Sequence, residues 1–261
     1  MGKSNSIEFT LKCIILVAIE KHIWRIFFKM SELKEQNWSK TTEVDAGLRS
    51  HFMSIYRHMA VGLSVTGLVS WLVANFLPGL ITGGLGMVFM FAPLAFLFLG
   101  FNRKTIMTKS PSYLAGMFYA FSAVIGISFA SIFLVYTGQS IAKVFFITAS
   151  MFAAMSMYGY STKADLTKMG SFLMMGVIGL IIAMVVNIFL QSTMMSFIIS
   201  GIGVIVYTLL IAYDTQNQKA MYAASYGDDA NQKAAVMGAL SLYINVINLF
   251  QFLMMFLGDR R

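Results

Sequence analysis

The 261-residue chain holds one cysteine, three prolines and three histidines, and only 11% of its residues are charged. Each scarcity removes a class of protein. The lone Cys13 rules out an intrachain disulfide and any cysteine-based metal centre. Three prolines and no low-complexity tract leave little room for a disordered domain. The charge deficit is the most informative. A soluble domain carries roughly a quarter charged residues because its surface faces water. With 58% hydrophobic residues, arranged in runs too long for a soluble core, this chain has lipid as its solvent.

The few charges are unequal: 19 Lys and Arg against 11 Asp and Glu, a formal net charge of +8. No basic stretch is interleaved with aromatics, and the cations fall between apolar runs, so nucleic acid is not the expected partner. Excess Lys and Arg in a membrane protein mark cytoplasmic loops.

Apolar stretches occupy about 53–76, 84–101, 113–136, 141–159, 171–190, 195–213 and 235–257. Most approach the roughly 20 residues that carry a helix across a bilayer. Continuous rather than alternating apolar runs select helices over a barrel. The expected fold is an all-α integral membrane bundle of seven transmembrane helices, over 47–261. Short connectors make successive helices antiparallel neighbours. Pro78-Gly79 with Gly83-Gly84, Thr137–Ser140 and Gln191–Thr193 turn the chain on one side without a cation, the nearest being Lys143. The opposite connectors carry Arg103, Lys104 and Lys109, then Lys163 and Lys168, then Lys219 and Lys233. This places the N-terminus and the basic loops in the cytoplasm. Seven crossings put Arg260-Arg261 outside, against the rule, which leaves a re-entrant last segment open.

Residues 1–46 form an N-terminal extension and cytoplasmic tail. The apolar core Cys13–Ile19 is followed by Glu20-Lys21-His22, and no small-residue cleavage site follows it. Two readings stand: 1–29 lies upstream of a natural start at Met30, or it is an interfacial helix. Ser31–Glu43 has the composition of a cytoplasmic tail.

An ionisable or amide side chain within a span is costly and so a candidate functional group. Two places qualify. Asp214 ends the sixth apolar stretch, at the unfavourable end of a helix dipole, where it needs a cation or a hydrogen-bond donor. In the last stretch Ser241, Asn245, Asn248 and Gln251 recur at spacings of four, three and three, on one helix face. Facing lipid, that stripe would cost about 1 kcal/mol or more per unsatisfied amide. It therefore belongs to a buried helix, as interhelical glue, as pore lining, or as both. Small-residue pairs, Gly176 with Gly179, Ala149 with Ala153, Gly201 with Gly203 and Gly126 with Ala130, suit close packing of the other helices.

Several ordered strings coincide with these places. They are Tyr158-Gly159-Tyr160-Ser161-Thr162-Lys163-Ala164-Asp165-Leu166, Ala212-Tyr213-Asp214-Thr215-Gln216, and Gly238-Ala239-Leu240-Ser241-Leu242-Tyr243-Ile244-Asn245-Val246-Ile247-Asn248-Leu249-Phe250. With Ile55-Tyr56-Arg57-His58-Met59 upstream, the chain over roughly 47–258 resembles the Bax inhibitor-1 family in its bacterial branch. The resemblance implies a central C-terminal helix wrapped by six others, and a cytoplasm-facing pair of aspartates. In the family that pair is thought to share a proton and gate a pH-sensitive calcium leak. Two adjacent carboxylates do not both ionise cheaply, and they titrate as a unit. Calcium would be the permeant ion, with no bound cofactor. The resemblance implies Asp214 and Asn245 as the gate pair and pH sensor, with Ser241, Asn248 and Gln251 as polar lining. One departure matters: where the family carries its second aspartate, this chain has Asn245. An amide can donate to an ionised Asp214, so the expected pH response is weaker than with two acids.

The first functional expectation is a calcium-leak channel or regulator in the bacterial inner membrane. The second is a non-conducting regulator of a membrane-bound AAA protease, a partner associated with bacterial relatives, reached through the tail Ser31–Glu43. An enzyme is not expected. His22, His51 and His58 all lie at or before the first span, and Asp214 has no second acid. No pair of Gly/Pro-broken spans in matching halves suggests a transporter.

Overall fold

The computed structural model describes residues 11, 12, 14, 15, 17, 18, 44–82, 85–222 and 227–261. Among them the chain is helical: α1 (Val44–Phe76), α2 (Gly79–Thr82), α3 (Leu85–Gly100), α4 (Arg103–Thr108), α5 (Pro111–Val135), α6 (Gly138–Ser161), α7 (Thr167–Leu190), α8 (Thr193–Met221) and α9 (Gly227–Leu257). The only extended pairing among the described residues is a single bridge between Tyr136 and Arg260. Six helices, α1 and α5 to α9, are long and apolar enough to cross a membrane. The stretch expected as a seventh span forms α3, 16 residues with Pro93 inside. At 1.5 Å per residue it is about 24 Å long, short of the roughly 30 Å hydrocarbon core.

The helices outrun the apolar stretches at one end. Helix α1 starts at Val44 rather than near 53, α8 continues to Met221 rather than 213, and α9 starts at Gly227 rather than 235. Hydropathy marks where lipid stops, and a helix continues past that point wherever neighbouring helices still pack on it. The turns at the other end are capped as their residues dictate. Thr137 Oγ1 accepts from Ser140 N at 3.3 Å, Ser192 Oγ accepts from Met195 N at 3.2 Å, and Gln191 closes α7 in the left-handed region at φ 49°.

Side-chain ties fix the register. Helices α1 and α5 run parallel: Thr66 Oγ1 donates to Ser122 O at 3.0 Å and Ser70 Oγ to Gly126 O at 2.9 Å. The chain must therefore return between them, through the segment that holds α3. Helices α8 and α9 form an antiparallel pair, in which a Cβ on Gly203 would strike the Phe252 ring and one on Gly238 would strike the Gln218 amide. Gly159 lets α6 approach α8 so closely that a Cβ there would collide with the Ala212 carbonyl.

Of the expected small-residue pairs, Gly126 and Gly203 sit in such contacts. Ala149 and Ala153 are exposed on α6, and Gly179 meets nothing. These three lie on the outward face, where a small residue carries no packing advantage.

Helix α9 is buried over nearly its whole length from Ala235 to Met254 and packs on α1, α5, α6 and α8. It is unbroken for 31 residues, about 46 Å. Its C-terminal tail docks on the α5–α6 turn: Thr137 N donates to Asp259 O at 3.1 Å, Arg261 N to Val135 O at 3.0 Å, and Asp259 N to Ser140 Oγ at 2.9 Å. That turn lies at the end opposite the α8–α9 connection, so α9 traverses the bundle and is not re-entrant. Most of 1–46 lies outside the described residues, including the tail Ser31–Glu43. Ile15 and Val17 are buried in the main core, and Lys12 Nζ donates to Ser131 Oγ at 2.8 Å.

Candidate functional site

The last two turns of α8 send successive side chains to different neighbours. Asp214 is 2% exposed and faces α9. Its Oδ2 accepts from Ser241 Oγ and from Asn245 Nδ2, each at 2.6 Å. These donors stand one helical turn apart on α9, so both reach the same oxygen. The carboxylate lies two turns inside α8 rather than at its end. Its partners are neutral donors, and the dipole of the helix end is met instead by Lys219 in the last turn.

Thr215 turns toward α6. Its hydroxyl donates to Ile211 O at 2.7 Å and lies 3.2 Å from Ser156 Oγ, which in turn sits 2.6 Å from the Tyr56 hydroxyl. A hydrogen-bonded chain thus crosses from α8 through α6 to α1. Gln216 holds the α6–α7 connector by both ends of its amide, donating from Nε2 to Ala164 O and accepting at Oε1 from Leu166 N, each at 2.8 Å. Lys219 Nζ donates to Tyr160 O at 3.1 Å, at the C-terminus of α6, and stands 5.2 Å from the Tyr160 ring centre. In that connector Asp165 accepts from Thr167 N at 2.9 Å. Hydrogen bonds from Thr167 hold its carboxyl below the usual carboxylate range.

The structure therefore brings Asp214, Asn245 and Ser241 into direct contact. It does not bring in Asn248 and Gln251. Both are 1% exposed, and the Asn248 amide and Gln251 Oε1 have no hydrogen-bond partner among the described residues. Asn245 Oδ1 and both polar atoms of Gln218 share that condition.

Sequence reasoning missed Gln218 and the Tyr56–Ser156–Thr215 chain. The signal for Gln218 was present, a second amide one turn after Asp214. No periodicity marks Tyr56 or Ser156, whose roles depend on which helix faces which. A further tie joins α1, α5 and α9: Thr66 Oγ1 lies 2.6 Å from the Tyr243 hydroxyl, and Tyr243 is fully buried.

Comparison with known proteins agrees with this architecture. The family described as "Inhibitor of apoptosis-promoting Bax1" matches residues 48–261. An uncharacterized protein of Rickettsia prowazekii is 44% identical over 229 residues, covering 85% of this chain and 95% of its own. An uncharacterized protein of Caulobacter vibrioides is 44% identical over 232 residues, 84% of this chain and 92% of its own. The inner membrane protein YbhL of Escherichia coli K12 is 38% identical over 231 residues, 83% of this chain and 94% of its own. With its long apolar helices and a match from residue 48, within α1, to residue 261, the chain belongs to the Bax inhibitor-1 family of multi-pass membrane proteins.

Proposed function

We propose that the protein is a cation leak of the bacterial inner membrane, with calcium as the permeant ion and α9 as the central helix of seven crossings. It is a non-enzyme in this reading. The observation that carries it is the single carboxylate of Asp214, buried in the bundle and held by Ser241 and Asn245 of α9. A buried carboxylate held only by neutral donors offers oxygen ligands to a cation and a latch between two helices. Helix α3 supplies the seventh crossing, as the parallel pairing of α1 with α5 requires a return. The basic connectors face the cytoplasm with the N-terminus, which puts Arg260-Arg261 on the far side.

Asp214 and Asn245 form the gate pair. With an amide in place of a second acid there is no proton to share, so the gate responds weakly to pH. Asn248 and Gln251, further along the same face, would line the path when it opens.

The test is reconstitution in liposomes with calcium flux followed over roughly pH 6 to 8, the range in which coupled carboxylates are tuned to work. Wild type is expected to show a shallower pH profile than Asn245→Asp, and Asp214→Asn a several-fold lower flux. Identical profiles for wild type and Asn245→Asp would refute the gate pair. Absence of flux at every pH would refute conduction and favour the regulator of a membrane-bound AAA protease. Deletion of Ser31–Glu43 would then abolish protease coupling.

A further inference from the structure

Away from Asp214 a cavity of about 1020 Å³ opens among the first turns of α1, α5 and α9. Its α1 wall presents Ser50, Ser54, Arg57 and His58, a stripe at helical spacing, and its α5 wall presents Ser112 and Tyr119. Arg57 is exposed and has no carboxylate within ion-pair distance among the described residues. His58 Nδ1 is engaged with the Tyr119 hydroxyl at 2.6 Å, which leaves Nε2 as the second ring nitrogen.

Helix α5 begins at this wall. Ser110 caps Tyr113 N, Pro111 has no N–H, and the Ser112 N–H has no intrahelical acceptor. Residues carrying cationic, hydroxyl and backbone donors thus line one space, far larger than a water site and at the upper edge of the volumes of small-ligand pockets. One acid, Asp228, lines the α9 side. Lys104, Lys109, Lys163, Lys168 and Lys219 lie at the same end of the bundle, alongside Asp165 and Asp229. Arg57 stands about one turn inside the apolar run of α1, at the depth where a long basic side chain reaches the headgroup layer.

We propose that this cavity binds a phosphate ester, with its phosphate on Arg57 and the Ser50, Ser54 and Ser112 donors, and its substituent toward Asp228. A guanidinium beside serine hydroxyls and a helix-start N–H is a phosphate-binding chemistry. The facing carboxylate accepts from a hydroxyl or ammonium group and disfavours bare inorganic phosphate. A glycerol-phosphate group fits both walls. It can come from the headgroup of an anionic phospholipid or from a soluble ester.

The experiment uses the full chain in a non-ionic detergent, with thermal unfolding and native mass spectrometry as readouts. The probes are short-chain phosphatidylglycerol, glycerol 3-phosphate, inorganic phosphate and short-chain phosphatidylcholine. A rise in Tm of a few degrees with phosphatidylglycerol alone identifies the lipid as the source. A similar rise with glycerol 3-phosphate identifies the soluble ester. Either rise is expected to shrink at least two-fold in Arg57→Gln and to vanish in Gly116→Phe. The second variant is aimed at filling the cavity, because Gly116 lines it and a Cβ there meets nothing within 4 Å, and its unliganded Tm reports whether the fold is kept. No probe exceeding phosphatidylcholine, or equal rises and equal bound-lipid counts in wild type and Gly116→Phe, would overturn the assignment.

Discussion

Ser241 and Asn245 occupy one half of the polar face of α9, Asn248 and Gln251 the other. All four are buried to within 5% of full enclosure, and they share one helix and one face. Their hydrogen bonding differs, although Asn245 Oδ1, like the Asn248 amide, has no partner among the described residues. The first two donate to Asp214 at 2.6 Å, while the Asn248 amide and Gln251 Oε1 have no partner among the described residues. An unmade hydrogen bond on a buried amide costs about 1–3 kcal/mol. For the Asn248 amide and Gln251 Oε1 no described residue offsets that cost. Burial alone does not distinguish a polar residue that holds two helices together from one that serves another state of the bundle. The partner does.

The largest expected effect comes from removing that partner. Asp214→Ala strands the Ser241 hydroxyl and the Asn245 amide together, and both lie where water does not reach. The expected loss is about 2–4 kcal/mol of unfolding free energy, measured by denaturant titration in mixed micelles. Asp214→Asn, which retains a carbonyl acceptor, should lose less than half as much. Equal losses in the two variants would mean that the charge, rather than the acceptor, ties α8 to α9.

Asp214 and the α9 stripe were legible in the sequence because a charged or amide side chain in an apolar run stands out against its neighbours. All six membrane-length helices were placed to within three residues at the end that carries the α5–α6 and α7–α8 turns, for the same reason. The extension of α1, α8 and α9 beyond lipid was not legible, since polar helix and polar loop look alike to hydropathy. Asp214 consequently read as a helix end, although α8 runs on to Met221. The hydroxyl chain Tyr56–Ser156–Thr215 was invisible as well. Serine, threonine and tyrosine are tolerated on lipid-facing and buried faces alike, and only the register of α1, α6 and α8 brings these three together. Small residues carried the same ambiguity. Nothing in the sequence around Gly159 marks it as a contact, yet it is where α6 meets the α8 backbone.

Asn245→Asp sharpens the comparison from the other side. It replaces a donor with a second acid at hydrogen-bond distance from Asp214. The two carboxyls can coexist only while one proton lies between them, so the variant should match wild type in stability at low pH and fall behind as pH rises. A difference of about 1–3 kcal/mol is expected between the acid and alkaline ends of a series of denaturant titrations. Wild type should change far less over the same range. A variant whose stability tracked wild type at every pH would show that the 245 side chain leaves Asp214 in the unaltered protein.

A smaller effect is expected at the connector between α6 and α7. Gln216→Ala removes both bonds by which one amide holds Ala164 and Leu166, but these groups can turn to water. The expected cost is about 1 kcal/mol, accompanied by faster exchange of the Leu166 amide in hydrogen–deuterium mass spectrometry. The neighbouring Asp165 offers a control by pH. Its folded value is lowered by Thr167, so its contribution is present above the ordinary carboxylate range and is lost as pH falls through the folded value. Protection of the Thr167 amide should therefore decline only in acid, and Gln216→Ala should leave that decline in place.

The smallest expected effect is at Asn248, and it is the one that can break the comparison. Leucine has the branched skeleton of asparagine, a larger volume and no polar atoms, and the neighbours of this position on α9 include the buried Leu249 and Phe252. If the Asn248 amide has no partner, Asn248→Leu exchanges an unsatisfied group for apolar contact. Unfolding free energy should then stay within about 1 kcal/mol of wild type or rise. A loss above about 2 kcal/mol that the smaller Asn248→Ala shares would mean that the amide is fully bonded in the membrane, through water or through a rearranged helix, whereas a loss confined to leucine reports overpacking. The two halves of the stripe would then be alike. Read beside calcium flux, the same variant separates cost from use. Unchanged stability with reduced flux would place Asn248 on the path of the ion, whereas unchanged stability with unchanged flux would confine the path to the Asp214 half of α9.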